Sequence, residues 1–260
     1  MPLVDAVGTE HPVAGSDARI VSLVPSVTEL LCDLGLASQL VGRTGFCIHP
    51  REVVRDIPKV GGTKDVKIDR IRELAPTHLV VNIDENTKET VDELATFVPS
   101  VVVTHPLAPE DNLDLYRLLG GIFDRPVETE RLCDEFSVAY DALTASAPLP
   151  TKVLYLIWRE PWMTVSRDTY ISRTLALVGW ETVPASADER YPEIDPAELA
   201  GSVERVLLSS EPYRFREKHL AEVEALVPGA RVSLIDGEMT SWYGSRAIEG
   251  LRYLGDYARD

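Results

Sequence analysis

Lysine is scarce in this chain, and so are cysteine, methionine and long apolar runs. Six of its 26 basic residues are lysine, against 42 acidic residues, which leaves a formal net charge of −16. So acidic a surface repels nucleic acid and anionic membranes, and neither is expected as a general partner. Three cysteines, Cys32, Cys47 and Cys133, are too few and too scattered for a disulfide framework. Cys32 and Cys133 fall in apolar and amphipathic helical runs and read as buried thiols. Nowhere does the sequence approach the ~20 consecutive apolar residues of a membrane-spanning helix, so no membrane insertion is expected. Residues Met1 to Ile20 lack the basic start and apolar stretch of a secretory leader, and no lipid-attachment cysteine lies near them. The expected compartment is therefore cytoplasmic as the sequence stands, or periplasmic or extracellular if a leader has been removed. Catalytic signatures are missing too: there is no G-x-S-x-G elbow, no Walker loop and no G-x-G-x-x-G turn. The expectation is a protein that binds rather than an enzyme, with no required cofactor.

What is present is an alternation of strands and helices that occurs twice. Arg19–Val24 is a compact apolar run, and Ser26 with Glu29 reads as a capping box opening a helix that Gly35 ends. A short helix over Ile68–Leu74 leads into a strand over His78–Asn82, followed by a strand at Val101–Thr104 and a helix at Asn112–Leu119. The second half repeats the order. Val153–Trp158 is a strand, Tyr170–Val178 a helix ended by Gly179, and Val203–Leu208 and Arg231–Ile235 are strands. Leu118-Leu119-Gly120 corresponds to Tyr253-Leu254-Gly255. Such alternation implies a mainly parallel sheet in each half. The expected architecture is α/β: an N-terminal lobe over 17–125, a bridging segment over 126–149 and a C-terminal lobe over 150–260. The bridge carries Leu132, Phe136, Ala139, Tyr140 and Leu143 at helical spacing, which predicts one helix over Glu128–Ala145 ending before Pro148. A stiff helix of that kind predicts a ligand cleft between the lobes.

In open α/β sheets, ligands sit beyond the carboxyl ends of the strands. Two clusters follow strands here: Ser209-Ser210-Glu211-Pro212-Tyr213-Arg214-Phe215, and Asp236 through Arg246 with Glu238, Trp242 and Tyr243. Large flat side chains, acids and an arginine in such loops suit a bulky, partly polar ligand.

Most of the chain resembles the class III helical-backbone substrate-binding proteins, the receptor superfamily for cobalamin, haem, iron-siderophores and metal ions. Arg19–Leu34, Val41–Pro50, Val60-Gly61-Gly62-Thr63, Ile68–Val81, Glu211-Pro212-Tyr213 and Ser241–Arg246 are similar to segments of its cobalamin-binding-protein-like branch. The resemblance implies two lobes on a backbone helix and a cobalamin-like corrinoid or related metal chelate as ligand, held for ABC-type import or for intracellular sequestration and delivery. It also implies a permease partner, which members commonly engage through one glutamate per lobe. Asp69 and Pro196 occupy those positions here, with Asp195 one residue earlier.

Within that frame, Trp158 and Trp162 are expected to flank a planar ligand, with Glu160 between them. Phe46, Tyr191, Tyr213, Phe215, Trp242 and Tyr243 are expected as further walls. Arg246, Glu211 and Glu238 are expected to read peripheral polar groups. Cys47, His49 and His105 are the candidate metal ligands, a set suited to a soft metal or to the centre of a macrocycle. Asp69 and Asp195 also read as ordinary helix-start acids. The bound ligand is expected to be cobalamin, haem, an iron-siderophore or a divalent metal. Two other classes compete: a cytoplasmic enzyme or chaperone acting on a metal-tetrapyrrole, and a receptor for a bare divalent metal.

Overall fold

A computed structural model describes residues 2–145, 149–185 and 189–259. The chain divides into two compact units. The first holds residues 1–106, 110–136 and 243–246; the second holds 107–109, 137–242 and 247–260.

The first unit is built on four parallel strands, β1 (Ile20–Ser22), β2 (Leu40–Arg43), β3 (His78–Asn82) and β4 (Ser100–Thr104), in the order β2-β1-β3-β4. β1 is buried along its whole length and β3 all but its first residue, as strands covered on both faces must be. Val21, Leu79 and Val81 pack with Leu23, Val60, Ile71, Leu94 and Val98 to fill one face. β4 is an edge, and residues outside the expected lobe boundary at 17 cover it. Asp5 Oδ2 accepts the Val103 N–H at 3.0 Å, and Ala6 donates its N–H to the Val103 carbonyl at 3.0 Å. His11 Nε2 lies 3.1 Å from the same Asp5 oxygen. An exposed ladder edge would template pairing with other chains, and this segment closes it.

The expected capping box does not form. The helix Pro25–Asp33 starts on Pro25 after Val24, with no side-chain cap; Ser26 is buried within its first turn. Proline at the first position already lacks the N–H that a cap would serve.

The second unit repeats the topology. β5 (Thr151–Trp158), β7 (Trp180–Thr182), β8 (Arg205–Ser209) and β9 (Arg231–Ile235) pair in parallel in the order β7-β5-β8-β9. β6 (Met163–Thr164) adds an antiparallel pair at the carboxyl end of β5, an element the repeat does not predict. Residues of alternate parity fill the two faces: Tyr155, Leu207 and Ile235 on one, Leu154, Leu156, Val206 and Leu208 on the other.

The long helix runs over Pro126–Thr144, starting two residues before the expected position; Pro148 lies outside the described residues. Its residues to Phe136 belong to the first unit and those from Ser137 to the second. Gly120 closes against Thr129 in the first unit, and Gly255 against Leu143 in the second. No helix among the described residues is long and apolar enough to cross a membrane.

Candidate functional site

In the second unit, four aromatic side chains gather near the carboxyl end of β5. Trp158 ends that strand and stays 39 % exposed. Tyr213 meets it edge to face, with ring centroids 5.7 Å apart, and meets Phe215 at 4.8 Å. Trp162 stacks on Phe215 at 6.1 Å with the planes 6° apart, and Arg159 lies over the Trp162 ring at 5.8 Å. Arg159 is held in turn by Glu222 at 2.8 Å and Glu160 at 2.6 Å. The four rings therefore grade from core to solvent. Phe215 is 4 % exposed and belongs to the core, Trp162 and Tyr213 are half-buried, and Trp158 is the exposed end of the row. His219 supports this row: its Nδ1 accepts the Arg216 N–H at 2.9 Å, which leaves Nε2 as the donor toward the Tyr213 hydroxyl at 3.4 Å. Tyr191 is 36 % exposed, with Arg190 over its ring.

Glu211 and Trp242 do not form the expected open wall. Trp242 is buried, and its indole N–H donates to Glu211 Oε1 at 2.7 Å; the Ser241 hydroxyl donates to the same oxygen at 2.9 Å. Burial pushes the Glu211 carboxyl above its ordinary range, the two hydrogen bonds pull the other way, and the negative charge of Glu238 adds to the rise. Glu238 itself is half-buried in the short helix Gly237–Ser241.

Tyr243 and Arg246 belong to the first unit and are packed there. Tyr243 donates to Glu85 Oε1 at 2.5 Å, and burial holds its phenol well above the usual value. Arg246 forks onto Glu29, Nε to Oε2 at 2.8 Å and Nη2 to Oε1 at 2.6 Å. Between them, Gly244 takes a φ of 83° and is pinned by Asn112 and Tyr116. The turn expected to read ligand groups is held by these contacts within the first unit.

Cys47 is likewise internal. The Thr28 hydroxyl donates to its sulfur at 3.1 Å, the Thr44 hydroxyl lies at the same distance, and burial raises the thiol. His105 Nε2 sits 3.4 Å from Asp84 Oδ1, and His49 lies near the Glu29 carboxylate. Among the described residues, no three His, Cys, Asp or Glu side chains converge as a metal site, so the expected Cys47, His49 and His105 set does not assemble.

The first unit has an apolar surface of its own at its strand ends. Phe46 is 62 % exposed three residues after β2, with Ile48 and Ile83 also exposed, the latter directly after β3.

The profile of the family described as periplasmic binding protein matches residues 20–219. The chain belongs to that family. A vitamin B12-binding protein of Vibrio parahaemolyticus is 24 % identical over 203 residues, covering 77 % of this chain and 71 % of that one. A vitamin B12-binding protein of Pectobacterium atrosepticum is 22 % identical, covering 68 % and 65 %. Among solved structures, the periplasmic vitamin B12 binding protein of Vibrio cholerae superposes with a TM-score of 0.81 at 16 % identity, covering 93 % and 96 %. The periplasmic haem binding protein of the same organism gives 0.77 at 22 %, covering 94 % and 100 %. These likenesses show the fold: two α/β lobes with mainly parallel sheets.

As a periplasmic binding protein, the chain presents apolar residues that sequence reasoning passed over. Ile48 and Ile83 look like core residues in a linear reading, because isoleucine is usually buried. Their signal is position: Ile83 directly follows a buried strand whose last residue is polar Asn82. Asp69, meanwhile, pairs with Arg72 at 2.8 Å on an exposed helix face, and Asp195 caps the turn Pro196–Leu199 by accepting the Ala197 N–H at 2.9 Å.

Proposed function

We propose that this periplasmic binding protein captures a cobalamin-like corrinoid, or a related flat metal chelate such as haem, for delivery to an ABC-type permease. The observation that carries the reading is Trp158, an exposed indole at a strand's carboxyl end that Tyr213 meets edge to face. A corrin offers broad apolar faces and a polar rim, and a rigid indole matches such a face at little cost in side-chain entropy. Covering roughly 80 Å² of that indole contributes about 2 kcal/mol. The relatives named for vitamin B12 and the neighbour named for haem support this ligand class over a bare ion. In the first unit taken by itself, the exposed Phe46, Ile48 and Ile83 are a separate set of contact candidates. Delivery to a permease rests on the family. The Asp69 side chain is 93 % exposed and engages only a surface arginine among the described residues, a pair worth about 1 kcal/mol at most, which leaves it open to a partner's cation.

The test is titration of the purified protein with cyanocobalamin, hydroxocobalamin and haem in turn, following chelate absorbance and tryptophan fluorescence. Saturable one-to-one binding of at least one chelate is expected, and its identity fixes the ligand. A displaced cobalt or iron band would single out a protein ligand to the metal, for which His49 is the candidate. Absence of saturation with all three would refute the reading.

A further inference from the structure

A cavity of about 470 Å³ lies at the carboxyl ends of β8 and β9. That volume falls within the range of small-molecule sites. Arg216 is extended there, at φ −145° and ψ 168°. Arg214 and Arg216 are both exposed and both line the cavity, and the buried Phe215 between them lines it too. Neither guanidinium has a carboxylate at ion-pair distance among the described residues, in a chain where acids outnumber bases 42 to 26.

Two hydroxyls complete the polar lining. Ser210 Oγ accepts the Gly237 N–H at 2.8 Å, and the Tyr253 hydroxyl accepts the Asp236 N–H at 3.0 Å. Each has thus filled an acceptor position and keeps its own proton to donate. Burial holds the Tyr253 phenol above its ordinary value, which keeps that proton in place. Of the two acids that line the cavity, Asp236 is committed to the N–H groups of Glu238 and Met239, and Glu217 is exposed. Leu208 and Leu234 supply an apolar floor.

We propose that this cavity binds a small phosphorylated organic molecule, its oxyanion head on Arg214 and Arg216 and its apolar body over Leu208 and Leu234. Two guanidinium forks and two hydroxyls offer more donors than the two oxygens of a carboxylate accept, whereas the three terminal oxygens of a phosphate monoester take them. The inference stands on residues other than those that carry the proposed chelate site, and either can fail alone.

Calorimetric titration of the full chain with phenyl phosphate, inorganic phosphate and benzoate tests it. Phenyl phosphate is expected to bind saturably and more tightly than either of the others. The Arg214→Ala, Arg216→Ala double variant is expected to lose roughly tenfold or more in affinity. Arg252→Ala, which removes an exposed arginine outside the cavity, is expected to change nothing. Circular dichroism of the double variant confirms that it is folded. Absence of saturation, equal affinity in the double variant, or benzoate binding as tightly as phenyl phosphate would each overturn the assignment.

Discussion

Glu211 and Glu29 are carboxylates taken out of water, one facing hydrogen-bond donors and the other a guanidinium, and both are raised above their ordinary range with burial as the leading cause. For Glu211, a folded-state value above the unfolded one means the native state holds its proton more tightly. Stability is then greatest below the unfolded value and falls as pH rises through the folded one. Glu211→Gln keeps an oxygen for Trp242 and Ser241 and removes the charge. Thermal unfolding against pH is expected to show the variant equal to wild type in acid and at least as stable at neutrality. A variant less stable than wild type at pH 7 would show that the charge itself is needed. Around Glu29 the logic is of a pair. Arg246→Ala leaves a nearly buried carboxylate without its fork and is expected to cost about 3 kcal/mol in urea denaturation. The double replacement Glu29→Leu, Arg246→Met is expected to recover to within about 1 kcal/mol of wild type, a coupling that a surface pair does not show. None of this was legible in the sequence. Tyr243 and Arg246 read as ligand groups because they sit in a turn, and their partners Glu85 and Glu29 lie far away along the chain.

At the scale of elements, the repeat was legible because buried parallel strands are short apolar runs with sharp ends. β3, β9 and the helix Ile68–Leu74 appear at the positions their patterns predict. β2, β7 and the two-residue β6 were not, since so few residues carry no period and, unlike β1, none of them lies in a continuous apolar run. Gly120 and Gly255, matched by the repeat, show what a shared position does. A Cβ on Gly120 would overlap the Thr129 hydroxyl, itself bonded to the Arg125 carbonyl, and so cannot be relieved by a simple rotation. A Cβ on Gly255 would meet only flexible side-chain ends, Leu143 at 3.1 Å and Arg259 at 3.7 Å. Gly120→Ala is therefore expected to destabilise by about 1–3 kcal/mol despite alanine's better helix propensity. Gly255→Ala is expected to stay within about 1 kcal/mol of wild type. Equal effects of the two in denaturant melts would contradict this packing account.

At the scale of the whole molecule, fold and family followed from order: strand, helix and motif succeed one another as in the periplasmic binding proteins, and the family profile spans residues 20–219. The ligand-facing surface was only partly legible. Trp158 and Phe46 are exposed, whereas Phe215, Trp242 and Cys47 went inward, because a loop aromatic or thiol is buried or not according to what the rest of the fold places beside it. The most direct test is calorimetric titration of cyanocobalamin into wild type and into Trp158→Ala. One site of micromolar or tighter affinity, weakened about tenfold to a hundredfold by the substitution, is the predicted result. Tight binding that Trp158→Ala leaves unchanged would contradict the claim that this indole face receives the ligand.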